Sequence, residues 1–99
     1  MSVTLMALYR RPDDADAFLS HYQGIHLPLV RKIPHLVDAT ARTVTGSPMS
    51  DAPYFLIAEM RFADRPHFDE AMASRENRAA GKDLMGFAKG LVTLLVVEG

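Results

Sequence analysis

Apolar residues along the chain fall into four short strand-like stretches and two longer stretches with helical spacing. Val3 to Tyr9 is rich in strand formers, with Val3, Leu5, Ala7 and Tyr9 pointing one way and Thr4, Met6 and Leu8 the other. Pro12-Asp13-Asp14 ends this strand and caps a helix. From Asp14 to Ile33 the spacing is helical. Phe18, Tyr22, Ile25 and Leu29 form one stripe, with Leu19, His26, Val30 and Ile33 beside it. Gly24 and Pro28 interrupt the stretch. Proline disfavours helix in the residue before it, which predicts a break at Leu27. A second short helix can start at Pro28, where the missing N–H costs nothing. His26 is then expected near a helix end.

Ile33-Pro34-His35 turns the chain. Leu36 to Thr45 alternates, with Val37, Ala39 and Ala41 against Asp38, Thr40 and Arg42, the pattern of a half-exposed strand. Gly46 to Pro53 reads as a loop and Tyr54 to Phe62 as a third strand. Asp64-Arg65-Pro66 starts a helix with Phe68 and Met72 facing inward, and Ser74 to Asn77 marks a break or a cap. The following segment places Ala80, Leu84 and Phe87 on one stripe, with Asp83 beside them. Gly90 stops it, and Leu91 to Val97 is the last strand. The order is β-α-β-β-α-β, which gives an α+β fold: a four-stranded antiparallel sheet with both helices on one face. Both sheet faces read as apolar, and the helices can cover only one. A bare apolar face is avoided by soluble monomers, so a homodimer joined through the sheet face is expected.

Composition narrows the function. The 99 residues fit a single domain, 1–99. A net charge of −1 with scattered basic residues points to neither nucleic acid nor an anionic membrane as partner. Arg10-Arg11 and Arg31-Lys32 read as solvated ends of elements. The absence of cysteine excludes disulfides, thiolate metal sites and a cysteine nucleophile, and a reducing cytoplasm fits. No Gly-x-Gly-x-x-Gly, P-loop or triad spacing is present, so no nucleotide cofactor is expected.

Three stretches resemble the EthD-like family of the dimeric α/β-barrel superfamily. They are His21-Tyr22-Gln23-Gly24-Ile25-His26-Leu27-Pro28-Leu29-Val30 followed by Ile33-Pro34; Phe55-Leu56-Ile57-Ala58-Glu59-Met60-Arg61-Phe62-Ala63-Asp64; and Lys82-Asp83-Leu84-Met85-Gly86-Phe87-Ala88. Together they cover nearly the whole chain in order. The family pattern places a histidine two residues before a proline in the first helix. It usually shows proline then glycine after the isoleucine, where this chain has Pro34-His35. The resemblance implies a ferredoxin-like βαββαβ dimer with a ligand cavity between sheet and helices. It also implies a role in degradation or tailoring of small organic molecules.

His26 is the leading catalytic candidate, because a histidine near pKa 6.5 suits proton transfer at neutral pH. Tyr22 and Asp83 are expected to orient it or a ligand. Its structural alternative is a hydrogen bond to a carbonyl freed at the helix break. His21 lies five residues before His26, about 140° away on an ideal helix, which is the wrong spacing for a metal pair. No metal is expected, and His21 reads as a rim or solvent-facing residue. His21, Tyr9, Phe18, Tyr54 and Phe87 are candidate substrate contacts, with core packing the ordinary role of such aromatics. The expected activity is cofactor-independent oxygenation, isomerisation or dehydration of a small, largely apolar carbonyl, lactone or phenolic compound. A non-catalytic small-molecule-binding or accessory protein of an oxidative pathway is the alternative.

Overall fold

The computed structural model describes residues 1–49 and 51–99; Ser50, inside the expected Gly46–Pro53 loop, lies outside them. Four strands, β1 (Val3–Arg10), β2 (Leu36–Thr43), β3 (Tyr54–Phe62) and β4 (Val92–Glu98), form one antiparallel sheet in the order β2-β3-β1-β4. The helices are α1 (Ala15–His21), α2 (Leu27–Val30), α3 (Arg65–Met72) and α4 (Arg75–Phe87). This is the ferredoxin-like βαββαβ arrangement, with the second helical unit split in two. The split has a local cause. The Ser74 hydroxyl donates to the Ala71 carbonyl at 2.6 Å and accepts from the Asn77 N–H at 3.1 Å. One side chain thus closes α3 and caps α4. Asp14 and Asp64 cap α1 and α3 in the same manner, accepting from the N–H groups of Ala17 and His67.

Register separates the two sheet faces. Val3 pairs with Phe62, Leu5 with Met60, Ala7 with Ala58 and Tyr9 with Leu56. These residues meet the helices and supply much of the buried core. Tyr9 meets Phe18 and Tyr22 edge-on, and Phe62 meets Phe68 likewise, so aromatic contacts tie sheet to helices. The opposite face departs from the expectation of an apolar surface. It is apolar along Met6, Leu8, Leu95 and Val97, but polar along β2 and β3. There Arg61 pairs with Asp38 at 2.8 Å and Arg42 with Glu59 at 3.3 Å. Alternation in β2 also shifts, because an irregularity between Leu36 and Asp38 takes Val37 out of register and leaves it exposed.

Two further differences are local. Arg11 is not simply solvated: its guanidinium lies 4.9 Å from the centre of the Phe55 ring. His35 occupies the left-handed region at φ 67, the conformation glycine adopts most readily. Its Nε2 sits 2.8 Å from Glu70 Oε2, an exposed contact that offsets part of the backbone cost.

Candidate functional site

The first helical stretch does not break at Pro28. It continues through a π-helical turn, Tyr22–His26, directly into α2. Leu27 keeps helical angles of φ −59 and ψ −42, and its N–H donates to the Tyr22 carbonyl, five residues back. A proline inside an α-helix would press its ring on the carbonyl four residues earlier, here Gly24. The wider turn relieves that clash without ending the helix. His26 therefore sits inside a continuous helix and is buried, at 5% exposure, rather than at a free helix end.

The wide turn also changes which residues share a face. Five residues span about one turn when hydrogen bonds run i→i+5. His21 and His26, on different faces of an ideal α-helix, now point to one acceptor. His21 Nε2 lies 2.9 Å from Asp83 Oδ1 and 3.1 Å from Oδ2, and His26 Nδ1 lies 3.0 Å from Oδ2. An ionised carboxylate only accepts, so each of these ring nitrogens carries the proton. His26 is thereby held as the Nδ1–H tautomer, with a lone pair on Nε2. Phe87 lies against both rings, stacked on His21 at 4.5 Å and tilted to His26 at 5.0 Å.

His26 borders a cavity of ≈ 160 Å³ between sheet and helices. Leu5, Ala7, Tyr9, Met60 and Leu94 form the sheet side. Val30, Ile33, Met72, Asn77, Ala80, Gly81 and Leu84 complete the lining. His26 Nε2 has no hydrogen-bond partner among the described residues, and no side-chain N or O among them is both sealed and unpartnered. Nε2 therefore keeps accessible surface. The same reasoning applies to the Tyr9 hydroxyl, which also makes no hydrogen bond among the described residues.

Burial sets the electrostatics. Desolvation holds the His26 pKa below its ordinary 6.5, against the hydrogen bond and charge of Asp83, while His21 adds to the lowering. Desolvation pushes the Tyr9 phenol well above its ordinary range, helped by Tyr22 and the Asp83 charge. Burial raises Tyr22 too, partly offset by Arg31. At neutral pH the cavity thus presents an imidazole lone pair and a neutral phenol O–H on an apolar wall. Among the described residues no group of three His, Cys, Asp or Glu side chains is placed to hold a metal ion. None of the helices described is long and apolar enough to cross a membrane.

The structure brings His26, Asp83, His21 and Phe87 together and places Tyr9 on the cavity wall. His21 is half-buried against Asp83 rather than on the cavity rim. Tyr22 packs 5.7 Å from His26 and 5.9 Å from Tyr9, in the core and not on the cavity wall. Phe18 is a core residue between Tyr9 and Phe55, and Tyr54 opens β3 opposite Arg10, away from the cavity. Asn77, Gly81 and Leu94 were not foreseen as lining residues. For Asn77 and Gly81 the signal was present: residues 77, 80, 81 and 84 follow the helical i, i+3, i+4, i+7 pattern.

A ferredoxin-like sheet enclosing an apolar cavity with one oriented histidine defines the class as a small α+β pocket protein. The EthD domain model matches residues 10–90, and the chain belongs to the EthD family. A protein of Rhodococcus erythropolis described as an uncharacterized 11.0 kDa protein in the thcB-thcC intergenic region is 33% identical over 94 residues. That match takes in 92% of this chain and 88% of the relative. The crystal structure of an ethyl tert-butyl ether D (EthD) family protein from Bacillus halodurans C-125 superposes with a TM-score of 0.94 at 43% identity. It covers 100% of this chain and 99% of that one. Two more distant structures share the fold. A dimeric ferredoxin-like protein from Jannaschia has a TM-score of 0.73 at 13% identity, covering 100% of both chains. SnoaB, a cofactor-independent oxygenase from Streptomyces nogalater, has a TM-score of 0.71 at 14% identity, covering 99% of this chain and 92% of its own.

Proposed function

We propose that the protein is an enzyme acting on a small, largely apolar carbonyl, lactone or phenolic compound, with His26 as acid/base and no cofactor. The observation that carries this reading is the state of His26. Its Nδ1–H is committed to Asp83, while Nε2 is left free, and the ring borders an apolar cavity. A base with one nitrogen anchored and the other aimed at the ligand is the arrangement proton abstraction needs. Tyr9 supplies the complementary donor, a neutral hydroxyl suited to an oxyanion that forms when the ligand loses its proton. The cavity volume is close to that which admits one benzene-sized ring in an engineered protein core, roughly 150 Å³. Tyr22 packs against the His26 ring and fixes its plane. SnoaB performs cofactor-independent oxygenation on the same fold, so such a scaffold supports this chemistry without a bound helper.

The apolar lining supports a second reading, a protein that binds or carries such a compound without transforming it. His26→Ala separates the two. The enzyme reading expects turnover to fall by at least about 10²-fold while the fold and ligand affinity persist. Unchanged turnover in a folded variant would end it.

The active form is proposed to be a homodimer through the sheet. Leu94, Leu95, Val96 and Val97 are 42–49% exposed on both faces of β4, next to the half-covered Met6 and Leu8. Leu94 also borders the cavity, so a partner seated on β4 would close its mouth.

A further inference from the structure

We propose that His21 is a positioning residue for His26, acting through Asp83: it clamps the shared carboxylate and thereby fixes which nitrogen of His26 faces the cavity. The inference deepens the reading of His26 as a base and rests on the same site. It stands on the geometry of three side chains, drawn from α1, the π turn and α4.

Asp83 would be a poor anchor alone. It is reached from solvent, with a side-chain exposure of 18%, and a lone carboxylate on a helix surface has several rotamers available. His21 removes that freedom. Its Nε2 lies within 3.1 Å of both carboxylate oxygens, so the N–H is shared across the carboxylate and the group is held from one side. His26 then meets Oδ2 from the other side at 3.0 Å. Phe87, one turn after Asp83 on α4, stacks on the His21 ring and fixes its plane. The π turn is what allows this, because in α-helical spacing His21 could not reach the acceptor that His26 uses.

The two rings differ in exposure, 30% for His21 against 6% for His26, and they share one carboxylate. The other titratable groups facing the pair do not compete for it. Tyr9 from β1 and Tyr22 from the π turn are both held neutral by burial, and Arg31 acts on Tyr22. Asp83 is the one charge shared by the two imidazoles.

The test uses the unliganded protein labelled with ¹⁵N in its histidine rings and needs no substrate. Long-range ¹H–¹⁵N NMR reads the tautomer of His26 directly. In the wild type, His26 is expected as the Nδ1–H tautomer. His21→Gln keeps a donor toward Asp83 and should retain that tautomer. His21→Phe keeps a ring against Phe87 but offers no donor, and His26 should become a mixture of tautomers. A His26 tautomer unchanged in His21→Phe would overturn the proposal. If His21→Phe fails to fold, His21→Leu, which also lacks a donor, is read in the same way. If His26 has no catalytic role, these signals still appear, so failure of the functional reading and failure of this one are told apart.

Discussion

At the scale of the residue, His26 combines burial with one committed hydrogen bond. The two act in opposite directions on its proton affinity, and burial is the larger. The consequence for stability has a definite sign. In the unfolded chain the ring takes up a proton near pH 6.5, whereas in the folded protein it resists until lower pH. The unfolded state then binds more protons, so the folded state loses stability as pH falls from 6.5 toward the lowered folded value. Above 6.5 the contribution is complete. Urea unfolding of the wild type and His26→Gln from about pH 7.5 to about pH 5 should show the advantage of the wild type shrinking as the solution is acidified. A constant difference would mean that the ring has the same proton affinity in both states.

His26 and Asp83 stood out in the sequence because their residue types and stripe positions were unusual, and the structure places them 3.0 Å apart. Asp83 shares a stripe with Ala80, Leu84 and Phe87, where a carboxylate needs a partner. The α-helical period put His21 on a different face from His26, and the π turn brings both to Asp83. Phe18 and Tyr54 do not line the cavity, since an aromatic residue fills a core as readily as it lines a cavity, and spacing alone does not separate the roles.

At the scale of the element, the π turn does the most to shape the site. Sequence marked its position through Gly24 and Pro28 but implied a break, because the pre-proline rule describes an ordinary α-helix. One extra residue in the turn resolves the same clash while keeping Leu27 helical. Deleting Gly24, whose neighbourhood is open, should return the segment to α spacing. His21 and His26 would then leave their common face. The deletion variant is expected to keep its helical circular dichroism but lose the Asp83-bound signature of His26 in ring NMR. Retention of that signature would show that the turn is dispensable for the site. The strands were easier to read, since Val3 to Tyr9 and Tyr54 to Phe62 are short apolar runs rich in strand formers and bounded by turn residues. The irregularity at Val37 was not, because one displaced residue in a half-exposed edge strand leaves no compositional mark.

At the scale of the whole molecule, the sheet face opposite the helices explains the proposed assembly. The expectation of a wholly apolar face was too simple: Asp38, Arg42, Glu59 and Arg61 form paired charges over β2 and β3. The apolar part is a band along β1 and β4, continuous with the exposed edge of β4. Such a band favours a second copy placed over β4. Sedimentation should give twice the 11.0 kDa chain mass for the wild type and a single chain for Leu95→Glu, which buries a charge opposite Met6. A wild-type chain that sediments singly would leave the cavity mouth at Leu94 open and remove the dimer from the account.

The central claim is that the cavity holds a small ligand against His26 Nε2. The most direct measurement is histidine-detected NMR with a panel of lactones, phenols and quinones, using His26→Ala to assign the ring signals. The account predicts that at least one compound shifts the His26 ring resonances and moves its titration midpoint. If saturating amounts of every compound leave those resonances unmoved, the cavity is not a site for this chemistry.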